Sequence, residues 1–505
     1  MGQIRKQAIL SSAVIYTGFL VGFVNTWFFI RSGNQTFTPA EYGLTRLFFD
    51  VGQLMYAVAS FGVISVLYKF FPYYKDNLPR KDNDLYTWTL LFPMLGFVLV
   101  LAGGLLFEPL IVRKFSERSE LFVTYYHWVF VFGLGILLFT ILEGFSWTFQ
   151  RPVFPNFLRE TGLRLLTLLL IALYLFNLIS FDRFIKLFSF QFLAIAVILG
   201  ISLRLQGNWP LTLRVSRVTQ KFKFKMTTLA GYVYGGSIIL ILSQVADSII
   251  IASVSERGIH DAGVFNLATY IANLIQVPQR SIVAVTIPLL SIAWKQKNIA
   301  EISRLYHRSS INLLLLGLFI FLGIWLNIAD AFRLLNIQAE YEAGILVVFI
   351  LGITKLIDAG TGVNGQIIAT SIHWRFEFLT GVFLVLLILP LNYFLVKEMG
   401  ITGSAWANLL SFTLYNLVRY LFLWKRYHLQ PFNRNTLYSL LLAAVCYMAC
   451  YYGFRGLEGW SGIFLRSSVF AGLFIAGVYL LQLTPDARPL AHALKDRLGI
   501  RRKDQ

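Results

Sequence analysis

The stretch AILSSAVIYTGFLVGFVNTWFFI (8–30) decides the structural class of this chain. It contains no charged side chain and is long enough to cross, as one helix, the roughly 30 Å hydrocarbon core of a bilayer. A cleaved signal peptide has a shorter apolar core and a small-residue cleavage site. We therefore expect an uncleaved first span that begins just after Arg5 and Lys6.

The same pattern recurs along the rest of the sequence. Of the 505 residues, 57% are hydrophobic and only 14% are charged, which is far less charge than a soluble domain carries. Hydropathy predicts an all-α integral membrane protein of about fourteen spans. The other thirteen lie at about 44–68, 86–107, 125–146, 158–180, 186–203, 228–252, 263–293, 310–332, 343–363, 375–396, 401–424, 435–453 and 462–483.

The basic residues indicate how the chain is oriented. If the N-terminus is cytoplasmic and the spans alternate, cytoplasmic segments carry 28 of the 44 Lys and Arg residues and external loops carry 10. This asymmetry follows the positive-inside rule and predicts that both termini are cytoplasmic. It also explains the net charge of +19 through contact with anionic membrane lipids. A nucleic-acid partner is disfavoured because the basic residues are spread over eight separate segments.

A basic segment in the middle of the chain suggests two halves. Similar segments, EYGLTRLFFDVGQLMYAVAS (41–60) and DAGVFNLATYIANLIQVPQR (261–280), fall on the second helix of each half and form a faint repeat. Repeats of this kind place a transporter's substrate site between the halves, near the bilayer midplane. The expected organisation is a six-helix lobe at 1–203, a basic cytoplasmic linker at 204–227, a second six-helix lobe at 228–424, helices 13 and 14 at 425–483, and a basic cytoplasmic tail at 484–505.

Charged side chains inside the spans are the candidate functional residues. A charge at the centre of a span costs about 2.5–3.5 kcal/mol on insertion scales, so such residues usually face a cavity or a partner. Guanidinium groups match phosphate oxygens bidentately, and a cavity with several basic groups suits an anion such as a diphosphate. The candidate substrate-binding residues are Arg46, Arg164, Arg280 and Lys355. The candidates for ion coupling or charge pairing are Asp50, Glu143, Asp247 and Asp358.

The same charged residues could instead have a purely structural role, such as pairing with each other. Pairing within one helix would neutralise Arg46 with Asp50, Glu160 with Arg164, and Lys355 with Asp358. Arg280 follows Pro278 and has no opposite charge within a helical turn, which favours a cavity role. Asp247 likewise has no cation within a turn of its own helix, which favours proton or sodium coupling or a partner on another helix. Arg419 and Arg466 lie near predicted helix ends, where we expect them to snorkel.

Two pairs of glycines have the spacing of a close helix contact. Gly18 and Gly22 lie in the first span, and Gly231 and Gly235 lie in the seventh. Small residues four positions apart let two helix backbones approach each other. We expect ordinary tight packing at both pairs and read no function from them.

Several segments together resemble a known family. They are MGQIRKQAILSSAVIYTG (1–18), EYGLTRLFF (41–49), KFFPYYK (69–75), FPNFLRETGLRLLTLLL (154–170), IQVPQRS (275–281) and KLIDAGTGVNGQIIATS (355–371). In order and spacing they resemble bacterial polysaccharide and O-antigen (lipopolysaccharide) flippases of the multidrug/oligosaccharidyl-lipid/polysaccharide (MOP) exporter superfamily. The resemblance covers about residues 1–425.

The resemblance implies two six-helix bundles around a central cavity, usually with two extra C-terminal helices. It implies that a lipid-linked oligosaccharide is flipped from the cytoplasmic to the periplasmic leaflet of the inner membrane by ion-coupled transport. Membrane lipids and other membrane proteins of polysaccharide assembly are the further partners it suggests. It transfers no residue role to this sequence.

Energetic and chemical considerations favour a secondary transporter over an enzyme. The sequence has no GxxxxGK[ST] phosphate-binding loop, and we expect no cofactor beyond a coupling ion, Na⁺ or H⁺. A multidrug/cation antiporter of the same superfamily is the nearest alternative, although it should favour acidic over basic cavity residues. A polysaccharide polymerase or ligase is a less favoured alternative. Such an enzyme needs sizeable external loops, and the longest external loop here spans only about 108–124.

Overall fold

The computed structural model describes residues 17–33, 35–149, 151–206 and 212–487, and these are mostly helical. The start of the first predicted span, part of the linker 204–227 and most of the basic tail lie outside the described residues. The helices are α1 (Thr17–Ile30), α2 (Pro39–Ala59), α3 (Val63–Asn77), α4 (Leu85–Leu106), α5 (Glu108–Phe115), α6 (Glu120–Thr124), α7 (Tyr126–Thr148), α8 (Val153–Phe157), α9 (Leu163–Leu175), α10 (Phe181–Ser189), α11 (Gln191–Leu205), α12 (Arg217–Val254), α13 (Ile259–Asn273), α14 (Val277–Lys295), α15 (Ile299–Leu334), α16 (Ile345–Gly360), α17 (Asn364–Thr370), α18 (Trp374–Tyr427), α19 (Arg434–Gly453) and α20 (Gly459–Leu480).

Helices long and apolar enough to cross a membrane account for most of the chain. Within the described residues there are ten of them, when α10 with α11 and α13 with α14 are each counted as one continuous helix, or eleven if the bent pair α2 and α3 forms one span. The apolar helix α1 is shorter over its described part. The structure therefore confirms an all-helical protein with many apolar spans, and the number fourteen stays a prediction.

Two breaks in the helices arise from the backbone rather than from hydropathy. The sequence predicts one helix over 44–68, but α2 and α3 meet at an angle of 50°. Two of the three residues between them, Phe61 and Gly62, have positive φ angles, which end a right-handed helix. In α18, Gly400 has φ 58° and ψ −137° and separates two stretches that the sequence predicts as separate spans. Only glycine adopts such a conformation at low cost.

The start of α2 is fixed by a capping box. The Thr38 hydroxyl accepts a hydrogen bond from the backbone N–H of Glu41, and the Glu41 carboxylate accepts one from the backbone N–H of Thr38. Pro39 occupies the first turn, where its missing N–H costs nothing. These local signals define where the helix that carries Arg46 and Asp50 begins.

The chain divides into two compact units, Met1–Asn266 and Leu267–Gln505. The boundary between the units falls within α13. This division rests on contacts in the folded chain. The division into two lobes around 204–227, expected from the sequence, stays a prediction.

Aromatic rings form much of the core of the first unit. Phe132 of α7 stacks on Phe188 of α10 with ring centroids 5.4 Å apart, and it meets Phe192 of α11 edge-on at 5.2 Å. Phe49 of α2 packs edge-on against the same Phe132 ring at 5.0 Å. Such ring pairs contribute about 0.5–1.5 kcal/mol each beyond the area that they bury. They hold α2 against α7, α10 and α11.

A buried carboxylate attaches the beginning of α12 to the beginning of α4 in the first unit. Asp84 is fully buried, and its Oδ2 atom accepts hydrogen bonds from the Trp88 indole at 3.0 Å and the Thr219 hydroxyl at 2.7 Å. The same oxygen accepts the backbone N–H of Ser216, the N-cap residue of α12, at 3.0 Å. An anion at a helix N-terminus interacts favourably with the helix dipole. Asp84 thus fixes where α12 starts.

The second unit is packed mainly by aliphatic side chains in two clusters. One cluster joins α15 to α19 and α20 and includes Leu318, Cys446, Cys450 and Phe470. The other joins α14, α15, α17 and α18. The long helix α15 contributes to both clusters and is therefore the central helix of this unit.

Candidate functional site

Three of the predicted site residues lie together in the first unit. Arg46 and Asp50 are one turn apart on α2, and Asp247 of α12 is close enough to Asp50 to interact with it electrostatically. The Arg46 Nε atom donates to the Tyr42 hydroxyl at 3.1 Å, and the guanidinium lies 5.2 Å from the centre of that ring. Contacts between α2 and α12 create this cluster, which the sequence positions alone could not show.

Polar side chains complete the surroundings of Asp50. The Ser248 hydroxyl is close to the Asp50 carboxylate and donates a hydrogen bond to the amide oxygen of Asn266 at 3.3 Å. Within the described part of the chain, the Asp50 Oδ2 atom is buried without a hydrogen-bond partner. A buried carboxylate oxygen beside a second carboxylate is able to take a proton or a cation, since either would relieve the repulsion between the two acids.

A second group of charges surrounds a π-helical turn, Leu158–Gly162, between α8 and α9. Arg159 in this turn donates to the Glu143 carboxylate on α7 at 2.7 Å. The carboxylate is buried, whereas 44% of the arginine side chain is exposed. Next to it, Arg164 of α9 pairs with Glu160 at 3.1 Å. π-turns are often found at functional sites, and this one places two ion pairs side by side.

The glycine face of α1 packs directly against this second group. A Cβ atom at Gly18 would lie 2.2 Å from the backbone oxygen of Glu160, and one at Gly22 would lie 3.1 Å from the Arg164 guanidinium. The side-chain amide of Asn25 donates to the backbone oxygen of Arg164 at 2.8 Å. The predicted close packing is therefore found at the glycine pair of α1.

The glycine pair of α12 behaves differently. Around Gly231 and Gly235, no described atom lies within 4 Å of the position that a Cβ atom would take. The expectation of tight packing at this second pair is wrong for the described part of the structure. Spacing alone cannot tell which face of a helix meets a neighbour.

In the second unit, Asp358 of α16 is held by side-chain amides. Its Oδ2 atom accepts from Gln276 at 2.8 Å and from Gln279 at 3.2 Å, and its Oδ1 atom accepts from Asn416 at 3.1 Å. Asn416 is itself buried and accepts from the Thr361 hydroxyl at 3.0 Å. Three amide donors can stabilise a carboxylate without a formal positive charge. The network ties α16 to α18 and to the turn before α14.

The two remaining predicted cations also belong to the second unit. The Lys355 ammonium lies 6.0 Å from the centre of the Phe412 ring, at the outer limit of a cation–π contact. Arg280 on α14 is exposed and follows Gln279, one of the residues that hold Asp358. The 3₁₀ turn Leu274–Gln276 separates α13 from α14 just before Pro278, which lies in the first turn of α14.

Two arginines occupy positions that differ from the sequence prediction. Arg419 was expected to snorkel, but it is buried and pairs with Glu377, while its guanidinium lies 3.8 Å from the centre of the Tyr415 ring. Arg466 was expected to do the same, but it pairs with the buried Asp330. Sequence reasoning missed these pairs because the partners are far apart in the sequence: Glu377 and Arg419 lie on opposite sides of the break at Gly400 in α18, and Asp330 and Arg466 lie on α15 and α20. A buried acidic residue in another span is the signal that could have indicated them.

Comparisons with known proteins show what this fold resembles. No family model and no curated protein matches the chain. Among solved structures, it is similar to "Lipid II flippase MurJ, inward closed conformation", with a TM-score of 0.72 and 11% identity over 94% of this chain and 98% of that one.

Multidrug transporters of the MATE family are also similar in structure. One, described as the inward-facing conformation of a MATE transporter of the MOP superfamily, has a TM-score of 0.62 and 14% identity, and the match covers 83% of this chain and 98% of that one. Another, the MATE multidrug transporter DinF-BH, has a TM-score of 0.53 and 17% identity, covering 84% and 96%. At these identities the likeness concerns the fold. The chain therefore shares its helical fold with these solved flippase and MATE transporter structures.

Proposed function

We propose that this protein is a secondary transporter that flips a polyprenyl-diphosphate-linked oligosaccharide from the cytoplasmic to the periplasmic leaflet by alternating access. The fold that it shares with a lipid II flippase supports the general class. The observation that carries the choice of an anionic substrate is the presence of basic side chains on apolar helices. These are Arg46 on α2, Arg164 on α9, Arg280 on α14 and Lys355 on α16.

The paired arginines suggest how a diphosphate could be bound and released. Arg159 and Arg164 each have a carboxylate partner, and the Arg159 guanidinium is far more exposed than Glu143 behind it. An arginine held in this way can exchange its carboxylate partner for a phosphate oxygen of the substrate. The guanidinium then has a negatively charged partner both in the empty and in the substrate-bound transporter. Because an unpaired buried charge is costly, such an exchange keeps the energy of the bound and empty states similar.

The acidic cluster on α2 and α12 is the proposed coupling site. Asp50 and Asp247 are close enough to repel each other, and a proton or sodium ion would relieve that repulsion. An ion moving down a membrane potential releases about 2.3 kcal/mol per charge per 100 mV. Asp50→Asn and Asp247→Asn variants should therefore retain substrate binding but lose transport that depends on an ion gradient.

The decisive experiment is a charge-reversal series. Arg46→Glu, Arg164→Glu and Arg280→Glu would be expressed at matched membrane levels in a strain that lacks this gene, and surface polysaccharide would be measured. Lys397→Glu reverses an exposed cation outside the candidate set and serves as the control. We expect polysaccharide to fall in the series and to persist in the control. Full polysaccharide in all three variants would contradict an anion-binding role for these residues.

Reconstitution distinguishes flipping from polymerisation. Purified protein in vesicles would be given a fluorescent lipid-linked oligosaccharide, without any acceptor sugar, and the fraction reaching the opposite leaflet would be measured. A flippase moves the unmodified lipid, whereas a polymerase or ligase needs the acceptor. Elongated product in place of translocated lipid would contradict the proposal.

A multidrug/cation antiporter is the second candidate. The pair of acids Asp50 and Asp247 and the structural similarity to a MATE transporter favour it. An antiporter should lower the accumulation of a cationic dye in intact cells, and Asp50→Asn should abolish this effect. Dye accumulation that is identical with and without the protein would exclude this candidate.

A further inference from the structure

A small apolar cavity, wide open on one side, lies on the surface of the second unit between the two ends of α18. It has a volume of 390 Å³ and is lined by Phe376, Val418, Leu421, Phe422, Lys425 and Arg426. The rings of Phe376 and Phe422 stack with their centroids 4.0 Å apart and join the first turn of α18 to its last turns. The apolar walls are therefore formed by two antiparallel segments of one helix that reverses at Gly400.

The cavity is apolar along its length and basic at one end. Val418, Leu421, Phe422 and Lys425 follow the spacing of a single helix face, so the apolar wall leads along α18 to the cations. Lys425 and Arg426 are in the final turn of α18, where the span ends. Exposed tryptophans mark the same level, as expected at the boundary between lipid and water. They are Trp374 and Trp424.

The two cations at this end are not neutralised by a neighbouring acid within the described residues. Neither Lys425 nor Arg426 takes part in an ion pair there, whereas Arg419, two turns earlier on the same helix, is neutralised by Glu377. Two adjacent uncompensated positive charges next to an apolar cavity complement a ligand with a negative head and an apolar chain. By the positive-inside rule this end of α18 faces the cytoplasm.

We propose that this cavity binds an anionic phospholipid of the cytoplasmic leaflet. Its phosphate would lie between Lys425 and Arg426, and part of an acyl chain would lie against Phe376 and Phe422. A soluble phosphate would gain nothing from the phenyl rings, and a zwitterionic lipid would gain less from two cations. The site goes beyond the proposed transport function and does not depend on it.

Lipid binding to the purified full-length protein tests this proposal. The protein in detergent would be mixed with equal amounts of phosphatidylglycerol and phosphatidylcholine, and bound lipids would be counted by native mass spectrometry. The protein should retain phosphatidylglycerol in preference. Each basic side chain near a membrane surface contributes about 1 kcal/mol to anionic lipid binding, so Lys425→Ala/Arg426→Ala should weaken retention by about tenfold or more. Lys221→Ala/Lys223→Ala removes two exposed cations at the start of α12 and should change retention little.

A second variant separates the cavity from the charges. Val418→Trp fills the apolar space and keeps both cations, so it should also reduce phosphatidylglycerol retention. An unchanged melting temperature would show that each variant is folded. Equal retention by the wild type and Lys425→Ala/Arg426→Ala would overturn the proposal, as would full retention by Val418→Trp. Finding a polyprenyl-linked lipid in the site in place of phosphatidylglycerol would overturn the assignment of the occupant.

Discussion

Arg419 shows how a single charged side chain is accommodated inside an apolar protein. It packs on the Tyr415 ring, donates to Glu377 and lies 3.4 Å from the Thr380 hydroxyl. A Cβ atom at Gly365 would lie 3.0 Å from its guanidinium, so a larger residue there would press on the arginine. The buried arginine thus contacts an aromatic ring, a carboxylate and a hydroxyl, each of which suits its shape or charge.

Replacing one partner of the Arg419–Glu377 pair should lower the stability of the protein more than replacing both partners. Arg419→Met leaves the Glu377 carboxylate, whose side chain is only 25% exposed, without its partner. Breaking a fully buried ion pair destabilises a protein by about 3–5 kcal/mol, and we expect a smaller loss here because water reaches part of Glu377. Arg419→Met/Glu377→Met replaces both charges by apolar groups and should recover most of that loss. Melting temperatures of both variants and of Glu377→Met in detergent would measure the coupling. Independent, additive effects would show that the two residues do not stabilise each other.

The position of Arg419 also marks a limit of sequence reading. Hydropathy locates the ends of a span, and Arg419 lies near one of them. The simplest prediction from the sequence is therefore that its guanidinium extends to the membrane surface. Its partner lies 42 positions earlier in the sequence and that of Arg466 lies 136 positions earlier. Such pairs depend on the rotation of each helix about its axis, which composition does not determine. The proximity of Asp247 to Asp50 was missed for the same reason.

Asp486 provides a residue whose stabilising effect should depend on pH. Hydrogen bonds from Arg308, and then from Asn312, hold the pKa of the Asp486 carboxyl below its usual range. A lowered folded-state pKa gives a stabilisation that is present above the ordinary pKa of about 4 and is lost as the pH falls through the lower, folded value. The residues after α20 should therefore stay attached to α15 at neutral pH.

Asp486→Asn tests this pH dependence. The melting temperature of the wild type should exceed that of the variant by a constant amount between about pH 8 and pH 5. The difference should begin to shrink below about pH 4, where the carboxyl of the unfolded chain takes up a proton, and should vanish once the pH falls below the lower pKa of the folded state. A difference that grows on acidification would contradict the assigned ion pair.

The crossing of α2 and α13 shows how two helices in the first unit approach each other. A Cβ atom at Gly43 would lie 2.2 Å from the backbone oxygen of Ile259, and one at Gly263 would lie 2.0 Å from that of Pro39. Glycine at both positions is therefore a steric requirement of this contact. Gly43 and Gly263 are the third residues of the two segments that form the faint repeat, 41–60 and 261–280, but the sequence did not predict that these two segments touch.

Matched alanine substitutions test the importance of this crossing. Gly43→Ala should force α2 and α13 apart and lower the melting temperature. Gly235→Ala places the same methyl group in open space on α12 and should be neutral, or stabilising by up to about 1 kcal/mol through higher helix propensity. Equal effects of the two substitutions would mean that the backbone contact does not hold α2 against α13.

Across the whole molecule, the sequence predicted the class of fold better than the details of its helices. Three elements are too short or too bent to count as one long apolar helix. They are the described part of α1, the 13-residue α9 after the π-turn, and the bent pair α2 and α3. Left-handed residues such as Phe61 and Gly62 interrupt a helix without lowering its hydropathy. Continuous apolar composition is therefore a good guide to membrane insertion and a poor guide to where a helix bends.

The distribution of basic residues predicts the orientation of the whole molecule. A fluorescent protein fused after residue 505 should fluoresce, because the C-terminus is expected in the cytoplasm. The same protein fused after residue 179, in the connection between α9 and α10, should stay dark, whereas alkaline phosphatase should be active there. The reverse result at both positions would require the opposite orientation and would move Lys425 and Arg426 to the external face.

The two cysteines of this chain, Cys446 and Cys450, are both buried in the cluster formed by α15, α19 and α20. Reactivity of a thiol requires access to the reagent as well as ionisation. The natural protein should therefore remain unlabelled by water-soluble maleimide dyes. A pair of cysteines introduced at exposed positions could then carry a donor and an acceptor fluorophore, and energy transfer would report the motions of single molecules whose remaining sequence is unaltered.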